Sequence, residues 1–224
     1  MDISQEQFKF IEKLTTAHLY WAMGNKGLFL KPMNFSTVQY MAPATYRNGL
    51  KFNDCVMKSL ARLPNATESR YLNVGATVGL LEWVNRDWYG GVLNIDSVEW
   101  DEQYECLSAV RNLIGINIKH QCNDVNEDDF KIFDFVDEPY DYAIMERFFP
   151  LYMNIESEGF ENILRKFAPY AKKAVIVESN NNWKPEVWKK LHEITERRIL
   201  VSSRDDGDTS LDWNAWVVDL GRYD

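Results

Sequence analysis

The stretch that decides the fold runs from residue 70 to residue 79 and reads Arg70-Tyr71-Leu72-Asn73-Val74-Gly75-Ala76-Thr77-Val78-Gly79. Its apolar first half predicts a short strand, and the residues after Gly79 predict a helix over 80–88. Gly75 permits a tight turn, and Gly79 permits close approach at the start of the helix. In an open parallel sheet, ligands bind beyond such a turn, at the carboxyl end of the first strand.

Strands and helices alternate on both sides of this stretch. Strands are predicted over residues 70–74, 92–95, 116–122, 140–145 and 172–178, and helices over residues 53–63, 80–88, 101–113, 156–167 and 185–194. Strands that alternate with helices pair in parallel through crossovers. The sequence therefore predicts an α/β fold with a doubly wound, mostly parallel sheet.

The two last predicted strands, residues 198–202 and 215–220, have no helical pattern between them. We expect them to pair antiparallel at one side of the sheet, with Val217 and Leu220 buried. This gives seven strands, the last of them antiparallel. Residues 51–224 form the α/β domain, and residues 1–50 form a helical N-terminal segment that begins at a capping box of Ser4 and Gln7.

Composition excludes several protein classes. The chain has 224 residues, 46% of them hydrophobic, with only 11 Gly and 7 Pro, so collagenous and low-complexity classes do not fit. The longest apolar runs are only a few residues, so we expect no membrane span. Three cysteines without a CxxC pair indicate neither a disulfide framework nor a zinc cluster, and we expect a cytoplasmic protein. The spacing of the three histidines predicts no metal site.

Charge is unevenly distributed around a net value of −9. Residues 82–161 contain nineteen Asp or Glu against five Lys or Arg, whereas residues 165–204 contain ten basic residues against four acidic ones. Phosphate backbones need a basic surface, and the acidic half would repel them. Nucleic acid is a disfavoured partner, and the sequence favours a small-molecule or protein substrate.

Asp96 stands twenty-one residues after Gly75, at the end of the predicted second strand. A carboxylate at this spacing can accept hydrogen bonds from both hydroxyls of a ribose. The glycine turn and the strand-terminal acid together indicate a nucleotide-containing ligand.

This order of elements resembles the class I S-adenosylmethionine-dependent methyltransferases over about residues 50–224. The closing antiparallel pair matches the last two strands of that family. The resemblance implies a Rossmann-like methyltransferase fold. It also implies transfer of a methyl group from S-adenosylmethionine to an unidentified acceptor.

The resemblance also implies which residues contact the cofactor. Gly75 and Gly79 match the first and third glycines of the family's first motif, and Asp96 matches its ribose-binding acid. Asp124, just past the third strand, matches the acid that meets the adenine amino group. The full set is Asn73, Gly75, Ala76, Thr77, Gly79, Asp96, Ser97, Asp124 and Val125.

Two positions depart from the family motif. Asn73 stands in place of the acid and keeps an oxygen acceptor without the charge, and Thr77 puts a β-branched side chain in place of the middle glycine. Taken alone, each change is expected to weaken cofactor binding by roughly 1–2 kcal/mol. They favour an alternative, a non-catalytic methyltransferase-like binding or scaffold module. A nicotinamide-dependent dehydrogenase is a weaker alternative, because it would have the middle glycine and no closing antiparallel pair.

The acceptor side is indicated by residues beyond the fourth strand and by the first helix. Glu146 could orient or deprotonate an acceptor, and Arg147 and Phe148 follow it. Tyr20 and Trp21 belong to an aromatic helix that packs either into a core or, as the resemblance implies, over the acceptor pocket as a lid.

Overall fold

The computed structural model describes residues 43–76, 79–99, 119–120, 125, 130, 132, 137–146, 148–149, 155–178, 184–202 and 212–223. Four helices lie in these ranges: α1 (Pro43–Leu60), α2 (Leu80–Tyr89), α3 (Ser157–Phe167) and α4 (Pro185–Ile194). The strands are β1 (Arg70–Val74), β2 (Asn94–Glu99), β3 (Lys119–His120), β4 (Tyr140–Glu146), β5 (Ala171–Glu178), β6 (Thr195–Ser202) and β7 (Asp212–Asp219). A short 3₁₀ helix, Gly221–Tyr223, follows β7.

The described strands form one seven-stranded sheet in the order β3-β2-β1-β4-β5-β7-β6. Strands β1 to β5 pair in parallel, and β7 is antiparallel to both β5 and β6. The predicted fold class and the predicted antiparallel pairing are confirmed, and Val217 and Leu220 are buried. The antiparallel strand β7 lies one position in from the edge, which β6 forms.

Helices cover both faces of the sheet. On one face, α1 and α2 pack against side chains such as Tyr71 and Ile144, and on the other, α3 and α4 pack against side chains such as Leu72 and Met145. Alternate residues of each strand therefore enter different cores. Because both faces are covered, the inner strands are nearly continuous apolar runs, as the sequence of β5 indicates.

Two element boundaries differ from the prediction. Helix α1 begins at Pro43, ten residues before the predicted start, so the predicted domain boundary at residue 50 falls inside it. The prediction missed this first half because residues 43–53 are largely polar and include Gly49. Strand β2 covers Asn94–Glu99 and not residues 92–95, because Gly90 and Gly91, both at positive φ, extend the turn after α2. The prediction that Asp96 ends this strand is wrong.

Several predictions fall on residues that the structure does not describe. These are the helix over 101–113, most of the strand over 116–122, and the N-terminal segment up to residue 42 with Tyr20 and Trp21. Among the helices of the described ranges, none combines the length and the apolar character that crossing a membrane requires.

Candidate functional site

The carboxyl ends of β1, β2 and β4 lie side by side in the middle of the sheet. Val74 pairs with Val98 and Asn73 pairs with Ile144, so continuing both registers brings Gly75 level with Glu99 and Glu146. Neighbouring strands are about 4.8 Å apart, so about 10 Å separates the two glutamate backbones. The residue level with both glutamates is a glycine, so no side chain at position 75 separates the two strand ends.

The turn after β1 is fixed by its backbone. Gly75 and Gly79 have φ values of 73° and 79°, which favour glycine at both positions. The N–H groups of Gly75 and Ala76 both donate to the carbonyl of Val98, at 3.0 and 3.1 Å, and tie the turn to β2. Helix α2 then begins without a side-chain cap on Gly79. The N–H groups of its first turn point towards this edge of the sheet and favour an anionic group.

A buried polar cluster lies beside the turn, between the sheet and α2. Asn73 on β1 is fully buried, and its Nδ2 donates to Oε1 of Glu82 on α2 at 2.7 Å. Ser97 on β2, which is paired with Asn73, donates its hydroxyl to the same oxygen. The structure thus brings the predicted residues Asn73 and Ser97 together around a carboxylate that sequence reasoning missed.

Asp96 lies within β2, level with Leu72, and three residues before the carboxyl end of the strand. Its Oδ2 accepts a hydrogen bond of 2.8 Å from the hydroxyl of Tyr140, the first residue of β4. Burial and the contact with Asp96 both raise the pKa of Tyr140 and keep its hydroxyl protonated. The hydrogen bond of Asp96 therefore reaches towards the amino end of β4, away from the edge where the glycine turn lies.

Glu146 ends β4 and is partly buried. It continues the series Tyr142 and Ile144, which face α1 and α2. Phe148 belongs to the opposite core, where its ring centroid lies 5.2 Å from that of Phe149 and 6.2 Å from that of Phe167. The structure thus does not bring Phe148 beside Glu146.

The segment after β3 is described only at isolated positions. Val125 is fully buried, and its carbonyl accepts a hydrogen bond of 2.8 Å from Nζ of Lys166 on α3. This contact links Val125 to α3. The predicted residues Thr77, Asp124 and Arg147 lie outside the described part of the chain.

The chain is similar in fold to solved methyltransferase structures. An S-adenosylmethionine-dependent methyltransferase from Leishmania major superposes with a TM-score of 0.55 at 12% identity, covering 92% of this chain and 82% of that one. A candidate O-methyltransferase from Nostoc punctiforme gives 0.53 at 13% identity, covering 92% and 68%. Magnesium protoporphyrin IX methyltransferase from Synechocystis, solved with bound S-adenosylmethionine, gives 0.51 at 10% identity, covering 98% and 100%. The chain has the fold of class I S-adenosylmethionine-dependent methyltransferases. No family model and no curated protein matches the sequence.

Within the methyltransferase fold, the end of β2 is the place that the sequence prediction gave to Asp96. The structure has Glu99 there, 2% exposed, twenty-four residues after Gly75. One signal could have located it. Gly90 and Gly91 lengthen the connection after α2, which moves the end of the next strand beyond the expected spacing.

Proposed function

We propose that the protein binds S-adenosylmethionine at the carboxyl edge of β1 and β2 and transfers its methyl group to an acceptor. The observation that carries this proposal is the glycine turn at positive φ, with Glu99 and Glu146 level with Gly75 on the two flanking strands. The sheet order supports it as well, because the antiparallel β7 lies between β5 and β6 and not at the edge.

Glu99 is the residue that we assign to the ribose. It is the last residue of β2 and is level with Gly75 in the register of β1, and carboxylate oxygens accept hydrogen bonds from both ribose hydroxyls. Asp96 is the weaker candidate, since its carboxylate already accepts the hydroxyl of Tyr140. The resemblance implies that the adenine lies near Asp124 and Val125.

S-adenosylmethionine, when bound, would supply a methyl group on a sulfonium, whose carbon an acceptor atom would attack in line as the sulfur leaves. The protein contributes mainly by orienting the reactants and excluding water, which a closed site at a sheet edge can do. Glu146 orients the acceptor and takes up its proton where the acceptor loses one. In this reaction the acceptor gains the bond to the methyl carbon, and the sulfur keeps the electron pair of the bond that breaks.

A small molecule or a protein is the acceptor class that we propose. The acidic excess over residues 82–161 covers the elements β2 to β4 that flank the site, and it disfavours the phosphate backbone of a nucleic acid. Tyr20 and Trp21, on the predicted N-terminal helix, would cover the acceptor side.

Isothermal titration calorimetry of the full chain with S-adenosylhomocysteine tests the proposal directly, with NADH as the comparison ligand. We expect saturable binding of S-adenosylhomocysteine and none of NADH. The reverse preference would indicate a dehydrogenase, and binding of neither ligand would contradict the proposed cofactor. Binding of S-adenosylhomocysteine without methyl transfer to any acceptor pool would favour the non-catalytic alternative.

A further inference from the structure

Glu82 is a carboxylate that helix α2 places at the buried junction of β1 and β2. It lies in the first turn of α2, where a negative charge interacts favourably with the helix dipole. A first-turn carboxylate on a surface helix usually points into water. In Glu82, by contrast, Oε1 accepts hydrogen bonds from Asn73 and Ser97, and Oε2 is also shielded from solvent. Two strands and one helix therefore cooperate to hold this charge inside the protein.

The orientation of Asn73 follows from this contact. A carboxylate only accepts hydrogen bonds, so the amide must direct Nδ2 towards Glu82 and its oxygen away from it. Asn73 is 0% exposed, and its Oδ1 has no hydrogen-bond partner among the described residues. A buried acceptor without a donor costs about 1–3 kcal/mol, so a fully buried amide oxygen at a ligand-binding edge indicates a donor supplied by the ligand.

The shielded carboxylate of Glu82 and the buried amide oxygen of Asn73 call for the same ligand chemistry. The amide oxygen of Asn73, two residues before Gly75, and the carboxylate of Glu82 that contacts Asn73 Nδ2 are both acceptors. They suit a group that is positively charged and has several N–H donors. An alkylammonium group meets both requirements.

We infer that Asn73 and Glu82 together bind the ammonium group at the amino-acid end of the cofactor. The inference rests on the proposed function, since S-adenosylmethionine is the ligand that brings this ammonium. Asn73 contributes its Oδ1 acceptor and holds the carboxylate in place through Nδ2. Glu82 contributes the charge that position 73 lacks. The departure at Asn73 is thus compensated from the helix, nine residues along the chain.

Binding of two ligands separates this role from a structural one. The titrations use the full chain with S-adenosylhomocysteine and with its analogue that lacks the amino group. We expect Glu82→Gln to weaken binding of S-adenosylhomocysteine about 10- to 100-fold, the effect of losing one charged hydrogen bond. We expect the same substitution to change binding of the deaminated analogue less than about threefold, since that ligand has no ammonium to lose. Asp87→Asn is the matched control, because it removes an exposed carboxylate from the same helix.

A charge-exchange variant, Asn73→Asp with Glu82→Gln, gives a second test. It moves the carboxylate to β1 and the amide to α2, so the buried hydrogen bond and the net charge are both retained. We expect it to recover S-adenosylhomocysteine affinity to within about fivefold of the wild type and to discriminate against the deaminated analogue. This variant also keeps the test valid if Glu82→Gln alone does not fold.

Two results would overturn the inference while leaving the proposed function intact. One is an equal loss of affinity for both ligands in Glu82→Gln, which is the signature of a purely structural carboxylate. The other is unchanged affinity for both. Failure of the wild type to bind S-adenosylhomocysteine would overturn the proposed function itself, and this inference with it.

Discussion

The hydroxyl of Tyr140 on β4 donates to Oδ2 of Asp96 on β2 at 2.8 Å, across the strand β1 that lies between them. The ring of Tyr140 is fully buried, and the guanidinium of Arg70 lies 4.7 Å from its centroid. Asp96 thus satisfies a buried hydroxyl. This is a structural use of the carboxylate that the sequence spacing had suggested for the ribose.

Substitution of Asp96 is expected to lower stability, whereas substitution of Glu99 is expected to lower cofactor affinity. Asp96→Ala leaves the buried hydroxyl of Tyr140 without its acceptor, so it should lower the free energy of unfolding by about 1–3 kcal/mol. It should change the affinity for S-adenosylhomocysteine less than about threefold, because its carboxylate already accepts the hydroxyl of Tyr140. Glu99→Gln should weaken that affinity about tenfold or more.

Urea unfolding and calorimetry on both variants check this pair. The result that would contradict the assignment is the opposite pattern, with cofactor affinity lost in Asp96→Ala and retained in Glu99→Gln. Ribose would then be held by Asp96, as the sequence spacing predicts.

Phe148 is expected to contribute to stability and not to acceptor binding. It is 4% exposed and packs edge-to-face against Phe149 and Phe167 beneath α3. Phe148→Ala should therefore lower the free energy of unfolding by about 3–5 kcal/mol, whereas Phe148→Leu should cost less because it fills more of the space. Phe148→Leu should leave KM for the acceptor unchanged once an acceptor is known. A raised KM with unaltered stability would place Phe148 in the acceptor pocket after all.

Several parts of the fold followed from the sequence because local pattern and tertiary environment agree there. Strand β1 and helix α4 have the predicted bounds, since Gly75 ends one and Pro185 begins the other. Strand β2 did not follow, because Ser97 and Glu99 are polar residues that the fold buries. A pattern of apolar residues cannot reveal the end of a strand when the buried side chains there are polar.

The same limit explains why Glu82 was missed. In the sequence it is an ordinary acidic residue in the first turn of a helix, where such residues are common. Its role depends on Asn73 and Ser97, nine and fifteen residues away, which only the parallel pairing of β1 with β2 brings together. The glycine turn, by contrast, is a local signal and was predicted at the correct place.

Tyr71 should make the protein sensitive to alkaline pH. Burial, and secondarily the nearby Tyr142, raise the pKa of Tyr71 from 10.0 to about 12, and its hydroxyl donates to the carbonyl of Ala66 at 2.9 Å. A phenol whose folded pKa exceeds its unfolded value stabilises the fold fully below pH 10, and this contribution is lost as the pH rises from 10 through 12. The Tyr71→Phe variant has no group that ionises at this position. Above pH 10 the difference in bound protons between its folded and unfolded states should therefore be smaller by about one.

Denaturant unfolding at a series of pH values from 8 to 12 measures the slope. In the wild type the free energy of unfolding should fall by about 1.4 kcal/mol per pH unit for each such tyrosine above pH 10. Tyr223→Phe is a useful comparison, since the pKa of Tyr223 is also raised to about 12 but its side chain is only partly buried. An identical slope in wild type and Tyr71→Phe would show that Tyr71 does not titrate in this range.

The N-terminal segment is predicted to close over the acceptor side, and removing residues 1–42 tests this without cutting α1. Helix α1 begins at Pro43 and buries Phe52, Val56 and Leu60 against the sheet, so the fragment 43–224 retains both described cores. We expect this fragment to stay folded, to keep most of its affinity for S-adenosylhomocysteine, and to lose methyl transfer. In the full chain, Tyr20→Ala and Trp21→Ala should lower turnover without a matching loss of stability.

A second truncation, beginning at residue 62, supplies the control for that experiment. It removes α1 and exposes the apolar side chains of the face that α1 covers, such as Val84 and Ile144, each of which contributes roughly 1.5–3 kcal/mol when buried. This fragment should therefore fail to fold, as circular dichroism and gel filtration would show. If the 43–224 fragment also unfolds, the aromatic N-terminal helix is part of the core. If that fragment retains full methyl transfer, the segment has no part in catalysis, and the acceptor is bound by residues after Pro43.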